Sequence, residues 1–313
     1  MTAAGLKNIL RSVLPPPAYR RVAAVYRAAR WGTDPVGEIP PTQAVAPAEP
    51  AALSPSSEAP SLPPPNPAAR EPRIISIEEK RRMAAENFWH YEHDLGDGVL
   101  TKPWWDWLPY WHGVRRQAIF ERVHEYFGPS LAGLRCMDVA CNSGFWSFEL
   151  IDRGADSVFA FDVTEYLVKD AFFVRDCRND RPEYQRIEFH VADYNNIDIP
   201  QSGFDLVLAL GMMYHLTDVF GVAKRLAQAT GRLAIIDSSV SDMPGDVLEI
   251  PPDGKYFWIS KGEFSFVPTR AALRRIFEET GFSRVTPWMP DENHPCYKEY
   301  GPNGFRHILV CEK

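Results

Sequence analysis

Along residues 134–313, short runs of buried-type apolar residues alternate with segments of helical spacing. Met137, Val139 and Ala140 make the first run, Asn142, Ser143 and Gly144 read as a tight turn, and Phe145 to Ile151 carry apolar residues at helical intervals. A second strand, Ser157 to Phe161, ends on Asp162, and a helix from Glu165 to Cys177 precedes a strand from Ile187 to Val191. The least ambiguous strand is Phe204 to Leu210, which runs into Gly211-Met-Met-Tyr-His215. Beyond it the pattern predicts a helix from Leu216 to Ala229, a strand from Arg232 to Asp237 and a helix from Arg270 to Thr280 stopped by Gly281. Two final strands follow, Val285 to Trp288 and Phe305 to Glu312. Strands alternating with helices imply an α/β fold whose first units form a Rossmann-like half.

The first turn discriminates between cofactors. In a dinucleotide fold this turn brings glycines and a helix N-terminus to a pyrophosphate. Here Asp138 sits at the strand end, and bulky Phe145 and Trp146 follow Gly144. A carboxylate at that place repels a phosphate and attracts an ammonium group. S-adenosylmethionine (SAM) offers an ammonium, a sulfonium and a ribose, with no phosphate, so the local charge favours it over NAD. Asp162 is placed to take both ribose hydroxyls.

At these residues the chain resembles the class I SAM-dependent methyltransferases, whose first motif is an acid followed by alternating glycines. The pattern here is Asp138-x-Ala140-x-Asn142-x-Gly144, with two of the glycines replaced. The resemblance implies a Rossmann-like class I methyltransferase fold with a seven-stranded, mostly parallel sheet, an antiparallel last strand and an N-terminal cap. It also implies that Asp138, Ala140, Cys141, Asn142 and Gly144 hold the methionine end of SAM and Asp162 the ribose. Asp193 would take the adenine, with Tyr194 and Leu210 beside the cofactor; Asp193 also reads as a simple turn cap. Tyr214 and His215, just past a strand's carboxyl end, face the reacting centre, His215 as proton acceptor and Tyr214 as positioning group. A structural role for His215 is the competing reading. A narrower resemblance, to the bacterial tRNA wobble-uridine carboxymethyltransferases and their relatives, rests on Phe204 to His215, Lys255-Tyr-Phe-Trp258, and Phe266-Val-Pro-Thr-Arg270 with Gly281-Phe282.

Composition divides the rest of the chain. Residues 1–33 form a basic amphipathic segment, in which Leu6, Ile9, Leu10, Val13 and Leu14 keep helical spacing and no acid precedes Asp34. Its residues 5–30 are a candidate contact for an anionic membrane surface or a partner, and a frayed tail is the alternative. Residues 34–72, dense in Pro, Ala, Ser and Glu, read as a disordered or polyproline-like linker. No stretch is apolar enough over its length to span a bilayer, and the reading is a cytoplasmic protein, with peripheral membrane contact open.

The tail through Pro72 holds seven basic and five acidic residues, which leaves the body at a formal charge of −9. That charge argues against nucleic acid as the main partner, although the narrower resemblance keeps tRNA open. The five cysteines show no metal-ligand spacing and read as reduced core residues, and no metal is expected.

Residues 73–133 concentrate aromatics, among them Trp104, Trp105, Trp107, Tyr110 and Trp111, with His90, His93 and His112. They predict a loop-rich cap in which Trp104, Trp105, Trp107 and Tyr110, joined by Trp258, stack on an acceptor, or else a satellite core. The function expected is SAM-dependent O-methylation of a sugar, glycolipid or other small-molecule hydroxyl. A tRNA wobble-uridine methyltransferase or carboxymethyltransferase is the alternative, and a non-catalytic SAM-fold scaffold the second.

Overall fold

The computed structural model describes residues 73–194, 197–250 and 265–313. The basic segment, the linker, Lys255 and Trp258 lie outside the described residues. Seven strands form one sheet: β1 (Arg135–Val139), β2 (Ser157–Asp162), β3 (Ile187–Val191), β4 (Phe204–Leu210), β5 (Thr230–Ser239), β8 (Arg284–Trp288) and β9 (Arg306–Glu312). Their order is β3-β2-β1-β4-β5-β9-β8. All neighbours are parallel except β9, which runs antiparallel to both β5 and β8. A two-stranded ribbon, β6 (Leu248–Glu249) with β7 (Val267–Pro268), stands apart.

The helices are α1 (Ile77–Glu86), α2 (Leu108–Phe127), α3 (Phe145–Asp152), α4 (Glu165–Cys177), α5 (Val219–Ala229), α6 (Arg270–Glu278) and the single turn α7 (Tyr297–Tyr300). Local chemistry starts several of them. Ser76, Asp218 and Thr269 cap α1, α5 and α6, each side-chain oxygen accepting a backbone N–H from the first turn. The Asp218 cap starts α5 at Val219, three residues later than apolar spacing alone predicts.

Side chains alternate across the sheet, so strands β1, β2, β4 and β5 each feed two cores. Cys136, Leu206, Leu208 and Leu210 face one side with Trp146, Phe148 and Ala118, Ile119, Phe120 and Val123 of α2. Met137, Val139, Val207 and Ala209 face the other with α5 and α6. Burial on both faces is why the central strands read as unbroken apolar runs.

Residues 87–107, around Gly96, Gly98 and Pro103, form loops with isolated bridges, and residues 108–127 are a 20-residue helix that the aromatic pattern did not announce. Trp89, Tyr91, Ala118, Ile119, Phe120 and Val123 belong to the same core as the sheet. Spacing hid the helix because its first half buries Leu108, His112 and Arg115 rather than an aliphatic stripe.

Strand order reverses between β1, which leads outward to β2 and β3, and β4, which leads the other way. A crevice opens outside the carboxyl ends of strands at such a point.

Candidate cofactor and acceptor site

The loop after β1 has the conformation of a glycine-rich turn without the glycines. Ala140, Asn142 and Gly144 all take positive φ, 57°, 54° and 82°. For an L-residue such as Ala140 this backbone costs about 1–2 kcal/mol, and Asn142 bears it more easily. Gly144 is required for a second reason. A Cβ there would lie 2.8 Å from Cζ of Phe189 and 3.0 Å from Cε2 of Phe148.

Hydrogen bonds hold the strained turn. The Cys141 N–H donates to the Phe161 carbonyl (3.0 Å), the Asn142 N–H to Oδ2 of Asp162 (3.0 Å), and the Ser143 N–H to Oδ1 of Asn142 (2.8 Å). The other Asp162 oxygen accepts the Thr164 N–H (2.8 Å). Burial raises the Asp162 carboxyl above its ordinary range, against the two backbone donors.

Asp138 is buried at the base of this loop, where its Oδ2 accepts the Ser147 hydroxyl (2.6 Å) and so ties β1 to the first turn of α3. Burial pushes its carboxyl up to about 7, opposed by the Ser147 bond and reinforced by the charge of Asp162. The Cys141 thiol is buried and pushed up as well.

Asp162 pairs with Val191 across β2 and β3, so Asp193 lies on the same edge as the loop, exposed, with its carbonyl accepting the Ile197 N–H. Tyr194 is buried, its ring against Phe161 at 5.7 Å. Across the reversal point, Leu210 ends β4 buried, and Gly211 follows at φ 89°. Tyr214 and His215 lie in a 3₁₀ turn, Met213–His215, with ring centroids 4.4 Å apart. Tyr214 is buried and His215 half-buried.

Sequence reasoning missed the groups beneath this turn. A Cβ on Gly211 would lie 3.4 Å from the Tyr214 hydroxyl, 3.5 Å from Nη2 of Arg115 and 3.6 Å from Nη2 of Arg306. Both guanidiniums converge on buried Asp237. Arg115 donates through Nε (2.6 Å), Arg306 through Nε (3.1 Å) and Nη2 (2.8 Å), and the Tyr300 hydroxyl adds a bond at 3.1 Å. Burial would raise Asp237, but Arg115 and Arg306 hold it below the usual carboxylate range. Two cations against one carboxylate leave a dry, net positive patch at the end of β4. Its only sequence signal is an acid and an arginine inside strands that should be apolar, and nothing in the spacing joins Arg115 to Asp237.

The proposed stacking residues divide by exposure. Trp104 and Trp105 are half-buried, whereas Trp107 and Tyr110 are 52% and 72% exposed. Trp105 stacks on Trp107 with centroids 5.5 Å apart. The earlier part of the segment turns inward. Tyr91 stacks on Phe145 (4.7 Å, 7° between planes), and Nε2 of buried His93 lies 2.8 Å from Oγ of Ser143.

Comparison with known proteins agrees with this architecture. Residues 130–281 match a methyltransferase domain family. The tRNA U34 carboxymethyltransferase of Campylobacter concisus (strain 13826) is 29% identical over 159 residues, 50% of this chain and 52% of that protein. The enzyme of the same name from Haemophilus influenzae (strain PittEE) is 26% identical over 168 residues, 53% and 50% of the two chains. The chain thus spans about half the length of the curated relatives it matches. Among solved structures, the N-terminal domain of EvdMO1 with SAH bound superposes with a TM-score of 0.56 at 16% identity, covering 77% of this chain and 98% of that one. The match over residues 130–281 to a methyltransferase domain family, together with the strand order, the loop after β1 and the acid ending β2, supports a SAM-dependent methyltransferase with the class I fold.

Proposed function

We propose that this domain moves a methyl group from SAM to a hydroxyl oxygen of a sugar, glycolipid or other small polar molecule. The observation that carries the reading is the pairing of two edges at the strand-order reversal. The positive-φ loop and Asp162 stand on one side, and the Tyr214–His215 turn on the other. SAM supplies a methyl group on a positively charged sulfur. In this reading Asp162 takes the ribose hydroxyls, Asp193 the adenine, and the Ala140 to Gly144 loop with Asp138 the methionine end. Tyr214 orients the acceptor hydroxyl and His215 receives its proton as the O–C bond forms and the S–C bond breaks. Alignment of the reacting atoms at about 3 Å supplies most of the rate, as expected for in-line transfer. The faces of Trp104, Trp105, Trp107 and Tyr110 suit the flat side of a sugar or aryl acceptor.

A second reading, tRNA wobble-uridine carboxymethylation with a carboxylated SAM, is favoured by the names of the matched relatives. The net positive patch of Arg115 and Arg306 beside Tyr214 also suits a donor carboxylate. The body's charge of −9 weighs against a polyanionic acceptor.

Calorimetry on the full chain with SAM and with carboxylated SAM tests the donor, and methyl-group tracing over a sugar, lipid and RNA panel tests the acceptor. Asp162→Ala should weaken SAM binding by about ten- to a hundredfold, the size of a charged hydrogen bond. Unchanged affinity removes the ribose assignment. Saturable SAM binding with no transfer to any acceptor leaves a scaffold instead.

A further inference from the structure

The cofactor loop has a conformational debt that its own sequence does not settle. Ala140 and Asn142 both sit in the left-handed region, where a glycine would sit without strain. The backbone bonds from Asn142 to Asp162 and from Ser143 to its neighbour hold the loop from below. A third tie arrives from a part of the chain before the matched domain. His93 is buried, and its Nε2 lies 2.8 Å from Oγ of Ser143, at the centre of the turn.

The His93 ring is fixed before it reaches the loop. Its backbone N–H donates to Oγ1 of Thr101 (2.7 Å), the Thr101 N–H returns to its carbonyl (2.9 Å), and the Thr101 hydroxyl donates to the Tyr91 carbonyl (3.0 Å). Trp89, Phe145 and Phe148 surround the ring edge to face, at 5.7, 6.2 and 6.1 Å between centroids. Burial drives the imidazole down to about 3, so it is neutral across the physiological range. The contact is a neutral bond between two buried groups, and either one alone is an unpaired polar atom in the core.

We infer that His93 is a positioning residue for cofactor binding: a latch from the N-terminal segment that holds the loop after β1 in its binding shape, where glycines are missing. Its effect runs through Ser143, which is itself buried beneath the turn. The segment before the matched domain is therefore part of the cofactor site.

The inference rests on the SAM reading of the loop, and S-adenosylhomocysteine (SAH) serves as the probe. Titrations use the full chain and its variants His93→Ala, His93→Gln and Ser143→Ala, each in the native loop and in an Ala140→Gly loop, which keeps the Asn142 side chain that accepts the Ser143 N–H. In the native loop, His93→Ala and Ser143→Ala should each weaken SAH by about tenfold, one hydrogen bond's worth. His93→Gln, whose amide nitrogen reaches where Nε2 stood, should stay within about twofold of the parent. In the glycine loop the loss for Ser143→Ala should shrink to less than about threefold, because relaxed backbone needs no latch.

Losses of equal size in both loops would make the contact ordinary core packing and overturn the latch, as would SAH binding unaffected by Ser143→Ala. Should the parent chain bind no SAH at all, the cofactor reading falls, and the latch with it. Unfolding midpoints without ligand, run alongside, assign any folding defect in His93→Ala, and Ser143→Ala then decides.

Discussion

The two edges that meet at the strand-order reversal are built on opposite electrostatic plans. On the β1–β2 edge, Asp138 and Asp162 are buried 24 positions apart in sequence with no buried cation bonded to either among the described residues, and burial raises both. On the β4–β5 edge, Asp237 is buried between Arg115 and Arg306, and the pairing lowers it. On the first edge burial disfavours the charged carboxylates, and a cation arriving there would draw off their protons. The second is already compensated and carries a surplus positive charge. A sulfonium donor lying between them would feel attraction from one wall and repulsion from the other, which orients its charged centre.

Removing the keystone of the compensated edge should have the largest effect. Asp237→Ala leaves Arg115 and Arg306 facing each other with no carboxylate, both deeply buried. Breaking a buried pair in this way costs about 3–5 kcal/mol, because the uncompensated charge remains. Urea unfolding of the apo chain measures it. A loss below about 1 kcal/mol would mean that water reaches the guanidiniums and that the edge is not dry.

The same contrast explains what could be read in advance. The β1–β2 edge lies within one contiguous unit, so a strand, a turn and an acid announce it, and the strands from Ile187 to Val191 and Phe204 to Leu210 fall on their predicted residues. The β4–β5 edge joins α2, β5 and β9, with 122 positions between Arg115 and Asp237 and 69 between Asp237 and Arg306. Local periodicity has no access to such pairings. His93 escaped for the same reason, its partner Ser143 being 50 positions away. Helix α2 was hidden differently: Tyr110 and Trp111, which suggested a lid, are exposed and half-buried, and the buried face beside them carries His112 and Arg115.

The intermediate effect sharpens the electrostatic contrast through pH. Asp138 keeps its proton in the folded apo chain up to about pH 7, whereas an unfolded Asp releases it near 4. Between those values the folded state binds more protons, so this contribution to stability is full below about pH 4 and fades as pH rises to 7. Its size is at most on the order of 4 kcal/mol. Asp237 acts with the opposite sign, its contribution present above about pH 4 and lost as pH falls. Chemical unfolding from pH 4.5 to 8 should therefore show Asp138→Asn without part of the parent's decline toward neutrality. Superimposable slopes for the two proteins would show that Asp138 is ionised in the apo state. Binding of the ammonium-bearing cofactor should tighten over the same window, as a cation beside Asp138 draws off its proton.

The smallest expected change in stability separates the inner and outer parts of the aromatic segment. Trp107 and Tyr110 are mostly exposed at the start of α2, where substitution removes little buried area. Trp107→Ala and Tyr110→Ala should each shift unfolding free energy by less than about 0.5 kcal/mol, as at other surface sites. Trp89 and Tyr91, by contrast, are core residues whose loss should cost about 3–5 kcal/mol by the cavity left behind. If the outer rings hold an acceptor, the two surface variants should keep SAM affinity and raise the acceptor's KM by roughly tenfold, in line with one to two kcal/mol per stacked ring. Losing Trp107 also strips Trp105 of its stacking partner, so the effect of the pair should exceed that of Tyr110. Unchanged KM in both would assign the exposed rings to some other contact and confine the acceptor to the cleft between the two edges.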